Sequence, residues 1–170
     1  MMTRRSKRLV LALFSVVTAG LLLASPAARP EDKKDKPKVE QIPKAVMDTL
    51  KAKFPKAVIH KWTKEKELGK VVYDIEFKQG DRKFEADIFE DGTIHNWEQE
   101  IAAKDLPEAV TKAVEKKYPK ATLKEIMAIT EVKDKKEALE GYEIVLETAD
   151  KKEVEVTVAP DGKILEDSGK

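Results

Sequence analysis

The chain of 170 residues contains no cysteine, and this absence removes several classes of chemistry at once. Disulfide bonds, thiolate metal sites, a cysteine nucleophile and a lipid-modified N-terminal cysteine are all excluded. Glycine is scarce, with seven residues, and no glycine-rich phosphate-binding loop is present. The two histidines are not placed with serine and aspartate in a way that indicates a catalytic triad. We therefore predict a protein that is not an enzyme and that uses no cofactor.

The N-terminus has the composition of a secretory signal peptide. Basic residues between Arg4 and Arg8 precede an apolar run from Leu9 to Ala24, and small residues follow around Ala27. The run is shorter than the roughly 20 apolar residues that a membrane span needs, although an uncleaved anchor remains the alternative. We predict a signal peptide over residues 1–28 and export to the periplasm or the medium.

Removal of this segment changes the charge balance of the chain. The whole sequence has a net charge of +1, whereas the mature chain keeps 29 of the 33 basic residues against 32 acidic ones, a net charge of −3. No basic patch remains, so we expect neither nucleic acid nor a membrane as a partner after cleavage. The next segment, RPEDKKDKPKVEQ at 29–41, is rich in charge and proline and is predicted to be a flexible linker.

The remaining chain contains an internal repeat, which is its most informative feature. The segments IPKAVMDTLKAKFPKA (42–57) and LPEAVTKAVEKKYPKA (106–121) are identical at seven of sixteen positions. The later segment FEADIFEDGTI corresponds in the same way to VEVTVAPDGKI. We predict two copies of one unit, over residues 42–104 and 105–170.

Each copy has the pattern of one helix followed by four strands. In the first copy Val46, Leu50 and Phe54 recur every four residues and share one helical face. The strands alternate apolar and polar residues, and Asp-Gly pairs mark hairpin turns. The expected fold is α+β, a tandem duplication of a helix plus an antiparallel β-meander, with the helices on one face of the sheet. Residues expected in the core are Val46, Leu50, Tyr73, Ile75, Phe84, Val110, Val114, Tyr142 and Val156.

These motifs together resemble a known family. The P-x-A-V helix start, the [FY]-P-K-A helix end and the terminal D-G-x-I hairpin, all in two tandem copies, are similar to the PepSY-like family. That family resembles beta-lactamase inhibitor protein in fold. The resemblance covers about residues 42–168 and implies an exported pair of α+β units whose open sheet face binds a protein, with a hydrolase as the implied partner. No functional residue is carried over by name, because the inhibitor's disulfides and inhibitory loop have no counterpart here.

The segments IHKW (59–62) and IHNW (94–97) contain every histidine and tryptophan of the chain. Ile59 and Ile94 align with apolar residues in the second copy, so regular strand alternation turns the His and Trp side chains to the open face. The alternative is that the tryptophans are half-buried packing residues, which a bulge near Trp62 would also produce. The predicted binding patch consists of His60, Trp62, Phe89, His95 and Trp97.

Metal binding by His60 and His95 is a sharper hypothesis, but the first and fourth strands of a meander lie roughly 14 Å apart. Zinc requires ligand nitrogens within about 2.1 Å of one ion, so we predict no metal site. Strand carboxylate pairs such as Asp74 with Glu76 and Glu85 with Asp87 are interpreted as a solvated face. Two function classes remain. One is an exported module that binds a protein on the open sheet face; the other is an exported sensor or carrier of a peptide, a small ligand or a metal ion.

Overall fold

The computed structural model describes residues 38–67 and 69–169. The predicted signal peptide and most of the predicted linker lie outside these residues. The last part of the linker is corrected by the structure, because Val39–Gln41 forms a 3-10 turn and Val39 packs against the hydrophobic core. The folded part therefore begins a few residues earlier than predicted, since Val39 has an apolar surface on which to pack.

Each half of the described chain contains one helix and four strands, in that order. The elements of the first half are α1 (Lys44–Lys53), β1 (Val58–Glu67), β2 (Lys70–Gln79), β3 (Arg82–Phe89) and β4 (Ile94–Glu100). A 3-10 turn at Ala103–Asp105 leads to the second half, whose elements are α2 (Glu108–Lys117), β5 (Thr122–Lys133), β6 (Lys136–Glu147), β7 (Glu153–Val158) and β8 (Ile164–Asp167).

All eight strands form one antiparallel sheet in which each strand pairs with its neighbours in sequence. The two halves join through β4 and β5, whose pairing runs from Asn96 opposite Glu131 to Glu100 opposite Met127. The predicted α+β fold with an antiparallel meander is thereby confirmed. Within the described residues neither helix is long and apolar enough to cross a membrane.

Both helices pack on the same face of the sheet, each over the strands of its own half. Val46 and Leu50 of α1 join Tyr73, Ile75 and Phe77 in one hydrophobic cluster. In the second cluster α2 supplies its buried valines to β5–β7. Every residue predicted to lie in the core is buried. Each helix is about three turns long and is marginal in isolation, so this packing stabilises it.

The Asp-Gly turns before β4 and β8 lie against the start of the two helices. Gly92 and Gly162 have φ values of +88° and +87°, which side-chain-bearing residues rarely adopt. A Cβ atom at Gly162 would lie 2.6 Å from the backbone oxygen of Ala109 on α2. In the first half, Thr49 of α1 donates a hydrogen bond from Oγ1 to the Gly92 carbonyl at 2.8 Å. The absence of a side chain at these glycines therefore allows close contact between turn and helix.

The pairing register shifts at two corresponding places in the two halves, and the second half has a further shift between β5 and β6, where Glu140 is skipped. His60 is skipped between Ile59 and Lys61 on β1, and His95 is skipped between Ile94 and Asn96 on β4. In the second half the residues skipped at the corresponding points are Lys124 and Leu165. These β-bulges reverse which face the following side chains occupy.

Candidate protein-binding face

The predicted placement of both tryptophans on the open face is wrong. Trp62 pairs with Ile75 and Trp97 pairs with Ala86, and both tryptophans pack against the core cluster beneath α1. The cause is the bulge at the histidine that precedes each tryptophan by two residues. The extra residue shifts the alternation by one, so the isoleucine and the tryptophan of each segment lie on the same face.

Trp97 contacts the C-terminal end of α1. Its ring lies edge-on to Phe54 with 5.9 Å between the ring centroids. The Nζ atom of Lys53 lies 4.8 Å from the Trp97 ring, within the range of a cation–π contact. Trp62 packs in the same layer, with its ring 6.0 Å from Tyr73. Both tryptophans are half-buried, so they are packing residues of the helix side.

Phe89 and His95 are brought together on the open face, as the predicted patch requires. Their ring centroids are 5.3 Å apart, and His95 Nε2 lies 4.0 Å from Glu67 Oε1. The Nζ atom of Lys70 lies 4.9 Å from the Phe89 ring. We call these four residues, Glu67, Lys70, Phe89 and His95, the aromatic corner. Its members come from the β1–β2 hairpin and from both sides of the β3–β4 turn.

His60 does not join this corner. It is exposed at the β1 bulge, and the strand order separates β1 from β4 by two intervening strands. Residues 38–67 and 69–169 contain no group of three or more acidic or histidine side chains with an arrangement suited to a metal ion. The two histidines therefore occupy separate parts of the first half.

The carboxylates of the open face are more enclosed than a solvated strand face would be. Glu85 and Glu98 lie opposite each other on β3 and β4, and both are 4% exposed. Asn96 is 3% exposed and donates a hydrogen bond from Nδ2 to Asp87 Oδ2 at 2.9 Å. The interpretation of the strand carboxylates as a solvated face is therefore wrong for Glu85. Sequence reasoning missed them because single-strand alternation does not show which carboxylates become neighbours.

Apolar side chains occur on the open face beside these carboxylates. Val72 and Phe89 face each other across β2 and β3, and Ile129 lies opposite Glu98 on β5. Val72, Phe89, Met127 and Ile129 are buried, yet they belong to neither of the clusters that the helices cover. The sequence signal for this second apolar layer was apolar residues, such as Val72 and Ile129, at strand positions where the alternation predicts polar ones.

A separate cleft lies at the other end of the sheet. It has a volume of about 540 Å³ and is lined by residues from the end of α2, the β6–β7 turn and the C-terminal segment, including Tyr118, Thr148 and Ser168. Next to it the Tyr118 hydroxyl and the Lys117 ammonium both bind the buried carboxylate of Asp167. Burial and the hydrogen bond to Asp167 raise the pKa of Tyr118 far above its usual value. This polar cluster occupies the position that Phe54 and Trp97 occupy in the first half.

These features define a two-layer α+β protein with a duplicated meander and a sheet face opposite the helices that carries many carboxylates. The family model "Putative beta-lactamase-inhibitor-like, PepSY-like" matches the chain twice, at residues 30–95 and 72–166. The chain belongs to this PepSY-like family. Among curated proteins none matches the chain.

Solved structures with the same fold come from Bacteroides species. A BLIP-like protein from Bacteroides fragilis is 20% identical, with a TM-score of 0.51 over 73% of this chain and 83% of that one. A DUF2874 family protein from Bacteroides uniformis is 13% identical, with a TM-score of 0.56 over 74% and 87%. A "putative periplasmic" protein from Bacteroides eggerthii is 13% identical, with a TM-score of 0.58 over 74% and 87%. At these identities the likeness establishes the fold.

Proposed function

We propose that the protein is an exported, non-enzymatic module that binds a protein partner on its open sheet face. The inhibition or regulation of a secreted or periplasmic hydrolase is the role that family membership suggests. The observation that carries the proposal is the sheet face opposite the helices, where Lys70 and Glu100 are exposed around an apolar layer of Val72, Phe89, Met127 and Ile129 that is itself buried. Polar residues around an apolar centre are typical of protein interfaces.

The aromatic corner is the part of this face that we assign to recognition. Phe89 and His95 are side by side, and Glu67 and Lys70 put both signs of charge beside the rings. Aromatic anchors at interfaces often cost about 2 kcal/mol or more of binding free energy when they are truncated. His60 lies outside this corner, so in this proposal it has only a peripheral role. Trp62 and Trp97 are removed from the binding surface.

Site-specific crosslinking tests the proposed face. A photo-reactive amino acid at Glu100, which is exposed at the end of β4 on the open face, should capture the partner in the native cell envelope. The matched control carries the same group at Lys51, which is exposed on α1. Capture from position 51 but not from position 100 would refute the use of this face. A captured hydrolase should then lose activity when the purified protein is added.

Export is tested by the mass of the mature protein. The sequence features of residues 1–28 lead us to expect their removal near Ala27 or Ala28, and one structural relative carries the description "putative periplasmic". Intact-mass measurement on protein recovered from the cell envelope should therefore give a chain that starts near Arg29. A mass that retains residues 1–24 would contradict cleavage.

A small-ligand carrier is the second candidate function, and the cleft beside Tyr118 is the observation that favours it. Polar residues line the cleft, among them Thr148, Ser168, Lys117 and Lys152. Native mass spectrometry of protein purified from its host should show a bound small molecule if this function holds. Loss of that molecule in a Ser168→Ala variant, but not in Phe89→Ala, would place it in the cleft.

A further inference from the structure

The two edges of the sheet differ in length. Within residues 38–67 and 69–169, β1 pairs with β2 alone and β8 pairs with β7 alone, so these two strands form the edges. β8 has four residues, and an edge strand that short offers little backbone to another chain. β1 has ten residues, Val58–Glu67, with no proline or glycine among them. It therefore presents a long row of backbone N–H and C=O groups on its outer side.

The second half shows that this edge of the repeated unit accepts a strand. β5 is the counterpart of β1, and both strands have a bulge at their third residue, Lys124 in β5 and His60 in β1. The side of β5 that corresponds to the outer side of β1 is paired with β4, in the antiparallel joint between the two halves. Among the described residues no strand precedes β1 to take the same place. The position that β4 fills beside β5 is therefore open to a strand from another molecule beside β1.

The charge pattern of β1 complements itself in one register. The part of the strand after its bulge, Lys61–Glu67, pairs regularly with β2. Opposite residues of an antiparallel pair point to the same face, so two copies of this stretch must centre on a residue that faces its own copy. Centring on Thr63 places Lys61 opposite Glu65 twice and sets no like charges opposite each other. Centring on Lys64 or on Glu65 places that charge opposite itself, which destabilises a sheet.

Both faces of the strand gain contacts in the register centred on Thr63. On the open face Lys61 Nζ lies 2.7 Å from Glu76 Oε1 of its own chain. In the paired form Lys61 also lies beside Glu65 of the second copy, so the charges alternate in sign across the three strands. On the helix side the half-buried Trp62 lies opposite Lys64 of the second copy, and a lysine beside an aromatic ring is a favourable cross-strand pair.

We infer that β1 pairs antiparallel with β1 of a second copy, centred on Thr63, so that the protein forms a symmetric dimer through its sheet edge. This inference concerns self-association and does not depend on the proposed function. The two-fold axis is perpendicular to the sheet, so both helix layers lie on the same side and the two eight-stranded sheets become one. The open faces of the two copies then form one continuous surface.

Single cysteine variants report the pairing directly, because the chain has no cysteine of its own. Thr63→Cys should form disulfide-linked dimers under mild oxidation, since directly opposite residues have Cα atoms about 4.5–5.5 Å apart, within the range of a disulfide. The matched control Glu65→Cys lies on the same face, but its two copies are roughly 13 Å apart along the strands. It should remain monomeric in non-reducing electrophoresis. Equal crosslinking of both variants, or of neither, would overturn the inference.

Charge reversal tests the same register without a covalent bond. Analytical ultracentrifugation of the mature protein over a range of concentrations should show a monomer–dimer equilibrium. Lys61→Glu and Glu65→Lys each set like charges opposite each other twice, so each variant alone should dimerise about tenfold more weakly. An equimolar mixture of the two variants restores both pairs of opposite charge and should recover the wild-type affinity. The control Glu115→Lys, exposed on α2, should dimerise like the wild type.

The remaining outcomes contradict the inference. A monomer at every concentration would leave the edge to another occupant, such as a segment of the chain outside the described residues. Dimers that all or none of the charge reversals weaken, or that mixing fails to restore, would show a contact elsewhere on the protein. Thermal unfolding confirms that each variant is folded. Glu65→Lys decides the result if Lys61→Glu, which also loses its contact with Glu76, is unstable.

Discussion

The correction at Trp97 leads to a quantitative prediction for the Trp97→Ala variant. Full truncation of a buried tryptophan costs about 3–5 kcal/mol of unfolding free energy. Trp97 is half-buried, but it holds the C-terminal end of α1 through Phe54 and Lys53. We therefore expect a loss of about 2–3 kcal/mol, at or just below the lower end of that range.

For a domain of this size 1 kcal/mol corresponds to roughly 3–4 °C in Tm. Trp97→Ala should lower Tm by about 6–12 °C in thermal unfolding followed by far-ultraviolet circular dichroism. Urea denaturation should give the loss of about 2–3 kcal/mol in unfolding free energy directly. Trp62 is the remaining tryptophan in this variant, so its fluorescence reports the same transition. An unchanged Tm would refute the placement of Trp97 against the helix.

Trp97→Phe is the matched control for this experiment. It keeps an aromatic ring near Phe54 and removes an indole Nε1 that is buried without a hydrogen-bond partner in the described structure. An unsatisfied buried donor costs about 1–3 kcal/mol, so its removal compensates for the smaller ring. We expect Trp97→Phe to unfold within about 1 kcal/mol of the wild type. A loss as large as that of the alanine variant would contradict this account.

Three further outcomes are expected. Gly162→Ala should lower the unfolding free energy by about 2–4 kcal/mol in urea denaturation, because this position combines a positive φ with a 2.6 Å approach to α2. The control Gly80→Ala has φ +65° and open space around it, so it should cost only about 1 kcal/mol. Equal losses in the two variants would refute the clash. Leu50→Ala should cost about 2–5 kcal/mol at its 1% exposed site, and a smaller loss would show that the site collapses. Burial raises the pKa of Asp167, but hydrogen bonds led by that from Lys117 outweigh it and hold this pKa below 3.8. The stability contributed by Asp167 is therefore fully present above the unfolded pKa and is lost as pH falls through the folded pKa. The unfolding free energy of Asp167→Asn should depend less on pH below pH 4 than that of the wild type. An unchanged pH dependence would contradict this.

Local patterns in the sequence were sufficient to predict the elements and both cores. The four-residue spacing of Val46 and Leu50 defines one helical face, and the following proline prevents further helix. Asp-Gly turns require glycine at positive φ, so Gly92 and Gly162 mark hairpins wherever the fold places them. These features depend on residues close in the chain, and burial of one face then determines which side of each strand points to the helices.

Only the tertiary structure decided which face the tryptophans occupy and which strand carboxylates lie side by side. A bulge inserts one unpaired residue, and nothing in IHKW or IHNW shows whether His60 and His95 are paired or skipped. That choice depends on the partner strand, whose hydrogen bonds set the register. The row from Glu76 to Glu98 likewise combines three strands, and its members become neighbours only when the registers of β2, β3 and β4 are established together. The sequence by itself determined the regularly alternating residues that pack beneath the helices, such as Tyr73 and Ile75, whereas long-range strand pairing determined the faces of the two tryptophans and which residues become neighbours on the opposite face.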